Sequence, residues 1–141
     1  MIAKSSYEQV LIKEVLGKIP VLQLMQSSES LAPNDIIDHV LSLYKKSEQD
    51  AFVVQSKGKF VGMVDVVRIG AMESQVLVSS VMMPAHAIRA LNRKESAYDV
   101  FKKLETQGMN VLPVVEKGIV KGIVTRNKVL HYLTLGMKFG R

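Results

Sequence analysis

The sequence predicts a mixed α/β (α+β) fold in which one β-α-β-β-α unit occurs twice, behind an extra N-terminal helix. Three observations carry this: an internal repeat, a helical period followed by a short β-branched run in each copy, and a glycine-marked turn after each run. Lys57-Gly58 and Lys117-Gly118 lie 60 residues apart, and each is followed four residues later by a second glycine, Gly62 or Gly122. The same shift of 60 places Leu31 on Leu91, Val40 on Val100, Val54 on Val114 and Val64 on Val124, with Asp35 on Glu95 and Met63 on Ile123 as conservative matches. A fixed period held over about forty residues without a gap marks a duplicated structural unit.

The opening segment lies outside the repeats. Ser5 and Glu8 have capping-box spacing, and Val10, Leu11, Ile12, Val15 and Leu16 predict a short helix ended by Gly17 and Pro20. Such a helix is either a lid on the core or a linker from a preceding domain. In the first unit Ile36, Ile37, Val40, Leu41 and Tyr44 recur at helical spacing, with Asn34 after Pro33 as the expected N-cap. In the second unit Ala97, Val100, Phe101 and Leu104 do the same, and Gly108 is placed to end the helix. Residues 51–54 and 111–115 are short, apolar and rich in β-branched side chains, so they read as buried strands. The Lys-Gly pairs supply the positive φ of a tight hairpin turn, which sends residues 60–64 and 119–124 back antiparallel. Val129, Leu130, Leu133 and Leu135 predict a closing amphipathic helix, with a shorter one after the first unit.

The expected division is residues 1–20 as N-terminal helix or linker, 21–76 as the first repeat, and 77–141 as the second repeat with its C-terminal helix. A unit of about 60 residues buries only about 60% of its unfolded surface. The two units are therefore expected to pack face to face as one pseudo-symmetric body with two equivalent clefts between them.

Composition excludes several classes of function. At 48% hydrophobic and 23% charged, the 141 residues are those of a folded chain, not a disordered one. No apolar run approaches the roughly 20 residues that cross a bilayer, so a soluble, cytoplasmic location is expected. The absence of cysteine removes thiolate catalysis, disulfides and thiolate metal sites. His39, His86 and His131 lie far apart with no metal-binding spacing, and no Gly-x-Ser-x-Gly or Walker pattern occurs, so neither a metal nor a catalytic residue is expected. The formal charge of +6 invites a nucleic-acid reading, but no basic run exceeds two residues and aromatics reach only 6% without tryptophan. Nucleic acid is thus the weaker reading, and one testable by the steep loss of affinity with salt that phosphate contacts impose.

Ordered motifs add a resemblance. Val78-Ser-Ser-Val-Met82, Leu112-Pro-Val-Val115 and Gly122-Ile-Val-Thr125-Arg-Asn-Lys128 in the second repeat resemble the CBS-domain family, whose paired form is the Bateman module. The first repeat shows the same frame in Val21-Leu-Gln-Leu-Met25, Phe52-Val-Val54 and Gly62-Met-Val-Asp65-Val-Val-Arg68. The resemblance implies a non-catalytic regulatory module that binds AMP, ADP or ATP between the repeats, controls a partner domain and pairs into a homodimer. In the family pattern Gly-x-x-Thr/Ser-x-x-Asp, the hydroxyl serves phosphate and the Asp accepts from ribose. Thr125 keeps the hydroxyl while Lys128 stands where the Asp belongs; Asp65 and Arg68 replace both in the first repeat.

The resemblance therefore places the better cleft at Thr125, Arg126 and Lys128. Asn110, Val111 and Pro113 would form the adenine wall, and Ala90, or Ser30 in repeat one, would take the first-strand position. A cation at a helix start pairs with phosphate alongside backbone N–H groups, so this cleft is expected to favour phosphate. Asp65 would repel phosphate unless Arg68 neutralises it, which makes the repeat-one cleft the poorer one.

The ends, residues 5–10 with 16–22 and residues 129–135, resemble the flanks of CBS pairs appended to site-2-protease-like membrane zinc metalloproteases. That resemblance implies a regulatory domain on the cytoplasmic face of a membrane enzyme, against a stand-alone CBS protein. A structural dimerisation module with empty or degenerate sites is the second functional reading.

Overall fold

The computed structural model describes residues 6–70 and 72–139. Helix α1 (Ser6–Gly17) is followed by a one-turn helix α2 (Val21–Leu24), then α3 (Ile37–Ser47), β1 (Ala51–Ser56), β2 (Lys59–Asp65) and the short α4 (Val66–Ile69). The second repeat runs through α5 (Val78–Val81), β3 (Met83–Pro84), α6 (Ala97–Gln107), β4 (Val111–Glu116), β5 (Ile119–Thr125) and α7 (Arg126–Phe139). The predicted mixed fold, the duplicated order and the N-terminal helix are all present; the Ser5 half of the predicted capping box lies outside the described residues.

Each hairpin forms for the reason its sequence supplies. Lys57 and Gly58, like Lys117 and Gly118, both have positive φ, the pattern of a type I′ turn whose twist suits a hairpin. β1 pairs antiparallel with β2 and β4 with β5, each with a register shift at the equivalent place, Val54/Gln55 and Val114/Val115. The hairpins meet where Lys59 pairs with Ile119, and the sheet order is β1-β2-β5-β4. Equivalent positions of the two repeats thus face one another across a pseudo-twofold axis.

The opening segment of each repeat does not stay with its own sheet. β3 pairs with β2, Met83 opposite Met63, and Gln26 pairs with Ile123 in β5. A few residues later Leu31 forms a parallel bridge to Val54 in its own repeat, as Leu91 does to Val114. The expected first strand is therefore a two-residue strand in one repeat and single bridges in the other. A segment that changes sheets within a few residues cannot hold a ladder with either. The crossing carries side chains with it. Val21 and Leu24 are buried in the core of α6, β4 and β5, whereas Val78 is buried in the core of α3, β1 and β2, with Val81 and Met82 packed against it.

The equivalent helices α3 and α6 start differently. Ser96 caps α6 with a complete capping box, its Oγ accepting from Asp99 N–H while the Asp99 carboxylate accepts from Ser96 N–H. The cap expected at Asn34 is not formed. Ile36 occupies the N-cap of α3, and the free N–H groups of Ile37 and Asp38 donate to the carbonyls of Val76 and Ser74 in the inter-repeat connection. Ser96→Ala is expected to cost about 1 kcal/mol, measured by urea denaturation. Asn34→Ala should be close to neutral.

At the other end, Gly108 takes the left-handed conformation as predicted, and its counterpart Glu48 does so without being glycine (φ 58°). α1 buries Ile12 and Leu16 and packs on α6 and α7, but Val10 is 61% exposed. Tyr44, Leu130 and Leu135, expected on buried faces, are also exposed, and Leu43 is buried instead of Tyr44. No helix among the described residues is long and apolar enough to cross a membrane.

Candidate ligand-binding clefts

The axis between the repeats is flanked by two clefts. The larger, about 410 Å³, is lined by Gln26, Glu48, Gln49 and Asp50 from the first repeat and by Asn110, Val111, Thr125, Arg126 and Asn127 from the second. The smaller, about 220 Å³, is lined by Asp50, Ala51, Asp65 and Val67 together with Gly108, Met109 and Asn110. Subtracting 60 from Asn110, Val111, Thr125 and Asn127 of the first cleft gives Asp50, Ala51, Asp65 and Val67 of the second, so the clefts are pseudo-symmetric mates. The larger falls within the size range of small-molecule sites.

Their floor is a chain of hydrogen bonds. Arg126 N–H, the first of α7, donates to Asn110 C=O (2.8 Å), and Val66 N–H, the first of α4, donates to Asp50 C=O (2.9 Å). Between them Asn110 Nδ2 donates to Asp50 Oδ2 at 3.0 Å. Gln49 is fixed beside this pair, its Nε2 donating to Ser28 Oγ and to Ala51 C=O. The residues that shape both clefts are therefore held by the helix starts they serve.

Thr125 lies at the N-terminus of the 14-residue α7, where its Oγ accepts the N–H of Lys128 at 3.2 Å. Capping consumes a lone pair and leaves the hydroxyl hydrogen for an acceptor in the cleft. Arg126 lines the cleft, but its guanidinium is paired with the Glu105 carboxylate at 2.6 Å. Lys128 is half-buried in the first turn of α7 and outside this lining. Asp65 in the smaller cleft caps α4 through Val67 N–H and lies 3.8 Å from Arg68, which is mostly exposed.

Of the residues expected to act together, the structure gathers Asn110, Val111, Thr125 and Arg126 in one cleft. It places Pro113 within the sheet opposite Ile123, buried, with its carbonyl accepting from Leu91 N–H. Ala90 lies beside that bridge with its carbonyl bonded by Lys103 Nζ, and Ser30 is exposed and bonded to Gln55 Nε2. Gln26, Glu48 and Asp50 escaped the sequence reading. The signal for Asp50 was present, since it is the residue-60 counterpart of Asn110.

Residues 78–135 match the family model of the CBS domain. Most of the chain is similar to solved CBS structures at low identity. The CBS domains of a transcriptional regulator from Streptococcus pneumoniae share 21% identity at a TM-score of 0.73, over 81% of this chain and 98% of that one. This is the fold of a CBS pair. The chain is also similar to CBSX2 in complex with AMP (19% identity, TM-score 0.71, 87% of this chain and 99% of that one). A third structure, the CBS domain of the bacterial CNNM/CorC family Mg2+ transporter in complex with ATP, shares 18% identity at a TM-score of 0.70, covering 91% and 93%. No curated protein matches the sequence.

Proposed function

We propose that this CBS pair is a non-catalytic regulatory module that binds an adenine nucleotide in the larger cleft, with Thr125 as the phosphate-facing hydroxyl. The observation that carries the reading is the cleft itself, which opens at the N-terminus of a long helix and draws its lining from both repeats. Helix N-terminal N–H groups and a positioned hydroxyl suit an anion. The similar structures that hold AMP and ATP support an adenine nucleotide as that anion's carrier. Because the lining comes from two repeats, a ligand that fits only one of their relative arrangements would shift a partner domain between states. The resemblance of the flanks supports a membrane zinc metalloprotease as that partner, which would place the module at the cytoplasmic face.

Titration calorimetry with AMP, ADP and ATP tests the assignment. Thr125→Ala is expected to weaken binding about tenfold or more, the value of a hydrogen bond to a charged group. Thr125→Ser, which keeps both cap and hydroxyl, should bind nearly as wild type. Absence of heat at millimolar nucleotide, or binding untouched by Thr125→Ala, would sink it.

A second reading, a dimerisation module with empty clefts, draws on the large apolar side chains exposed on α1 and α7, among them Tyr7, Val10, Leu135, Met137 and Phe139. Sedimentation with and without nucleotide separates the two readings: a homodimer that takes up no nucleotide favours the second, and a homodimer that binds it favours the first.

A further inference from the structure

Resting on that reading, we infer that the larger cleft sorts adenine nucleotides by phosphate number, favouring the monophosphate, through the carboxylates of Asp50 and Glu48. The residue pattern at the start of α7 predicts a cationic, phosphate-rich site. The folded cleft has a different charge. Arg126 is the one basic residue among the described residues of its lining, and its guanidinium is already paired with Glu105. Glu48 and Asp50 enter the same lining from the first repeat, so the charge facing the cleft is acidic.

The Asp50 carboxylate and the backbone that carries Glu48 are held in place. Asp50 is fixed by Asn110 Nδ2 through its side chain and by Val66 N–H through its carbonyl. Glu48 closes α3 in the left-handed conformation, its N–H donating to Tyr44 C=O, and is followed by the anchored Gln49. Tied through both its side chain and its backbone, Asp50 cannot swing its charge away when an anion arrives, and the fixed backbone keeps Glu48 at the rim of the cleft.

One phosphate can settle on the α7 N-terminus, where the helix dipole and the Thr125 hydroxyl offset its charge. Each further phosphate adds negative charge in a cleft whose described lining has two carboxylates and no unpaired cation. At the intermediate dielectric of a part-exposed cleft, one such repulsion weakens affinity by roughly three- to tenfold. The acidic lining therefore acts as a filter against polyphosphate tails while leaving the first phosphate site intact.

The test is titration calorimetry of AMP, ADP and ATP on the wild-type chain and on Asp50→Asn and Glu48→Gln, all in EDTA so that no divalent cation screens the phosphates. Affinity is expected to fall from AMP to ADP to ATP in the wild type. Each substitution should raise ATP affinity relative to AMP by roughly three- to tenfold, less at high salt. A wild type that binds ATP as tightly as AMP, or an ATP-to-AMP ratio unchanged in both variants, overturns the inference and leaves nucleotide binding standing. If the wild type takes up none of the three, the nucleotide reading itself falls, and the inference with it.

Discussion

Gly62→Val is expected to lower the unfolding free energy by roughly 2–3 kcal/mol, the upper range for overpacking a filled site. In a chain of this size that is a fall in Tm of roughly 5–10 °C. Gly62 sits in β2 directly under the crossing segment of the other repeat. A Cβ there would collide with the backbone carbonyl of Met83, with the Met82 sulfur at 3.0 Å. A backbone oxygen paired into the sheet cannot move aside as a side-chain tip can. Gly122 is the pseudo-symmetric case, where a Cβ would meet the Met25 side chain and, at 2.9 Å, Gln26 C=O. Gly122→Val is expected to be nearly as damaging, softened by the flexibility of Met25. Gly17→Ala is the control. A Cβ there meets nothing within 4 Å, so it should be neutral or stabilising by about 0.5–1 kcal/mol. Equal behaviour of all three in urea denaturation would refute the crossing as the reason for these glycines.

Cutting the chain between Val76 and Leu77 is expected to abolish cooperative folding of both pieces, and mixing them should restore it. The reason is the exchange of core residues. The first piece carries Val21 and Leu24, which are buried in the second repeat's core, and lacks Val78, which fills its own. The second piece loses the Ile19 carbonyl that accepts the Ala97 N–H at the start of α6, and the α1 residues Ile12 and Leu16 that cover its core. Each isolated piece is also in the size range where burial is marginal. Thermal unfolding followed by circular dichroism would show no transition for either piece and one for the equimolar mixture. A cooperative transition in either piece alone would show that the crossing is not essential.

Much of the fold was legible because it is local. A type I′ turn needs positive φ at two adjacent residues, so Lys57-Gly58 and Lys117-Gly118 marked both hairpins. Periodicity gave α6 its buried residues correctly, since Ala97, Val100, Phe101 and Leu104 all face one core. The same reasoning failed at Asn34, Val10, Leu130 and Leu135 for a shared reason. Whether a cap is needed, or a stripe is covered, depends on which distant segment arrives. Val76 and Ser74 supply the acceptors that a cap would have supplied, and nothing among the described residues covers Leu130 or Leu135 fully.

The site divides along the same line. Motif order pointed to Thr125 and its neighbours, because a hydroxyl at a helix start is a local arrangement that sequence spacing encodes. The charge of the cleft was not encoded there. Lys128 and Arg126 suggest a cationic pocket when read alone; the fold pairs Arg126 with Glu105, a residue of α6, and brings Glu48 and Asp50 in from the other repeat.

By itself, then, the sequence determined the duplication, the turns, the order of elements and the position of Thr125, since each depends on residues within one turn or one period of each other. The tertiary structure alone decided that each repeat completes the other's core, and that the cleft beside Thr125 is acidic. Both depend on a pseudo-twofold packing that sets residues 60 positions apart against one another, and Coulomb and steric forces act on that distance in space, not on distance along the chain.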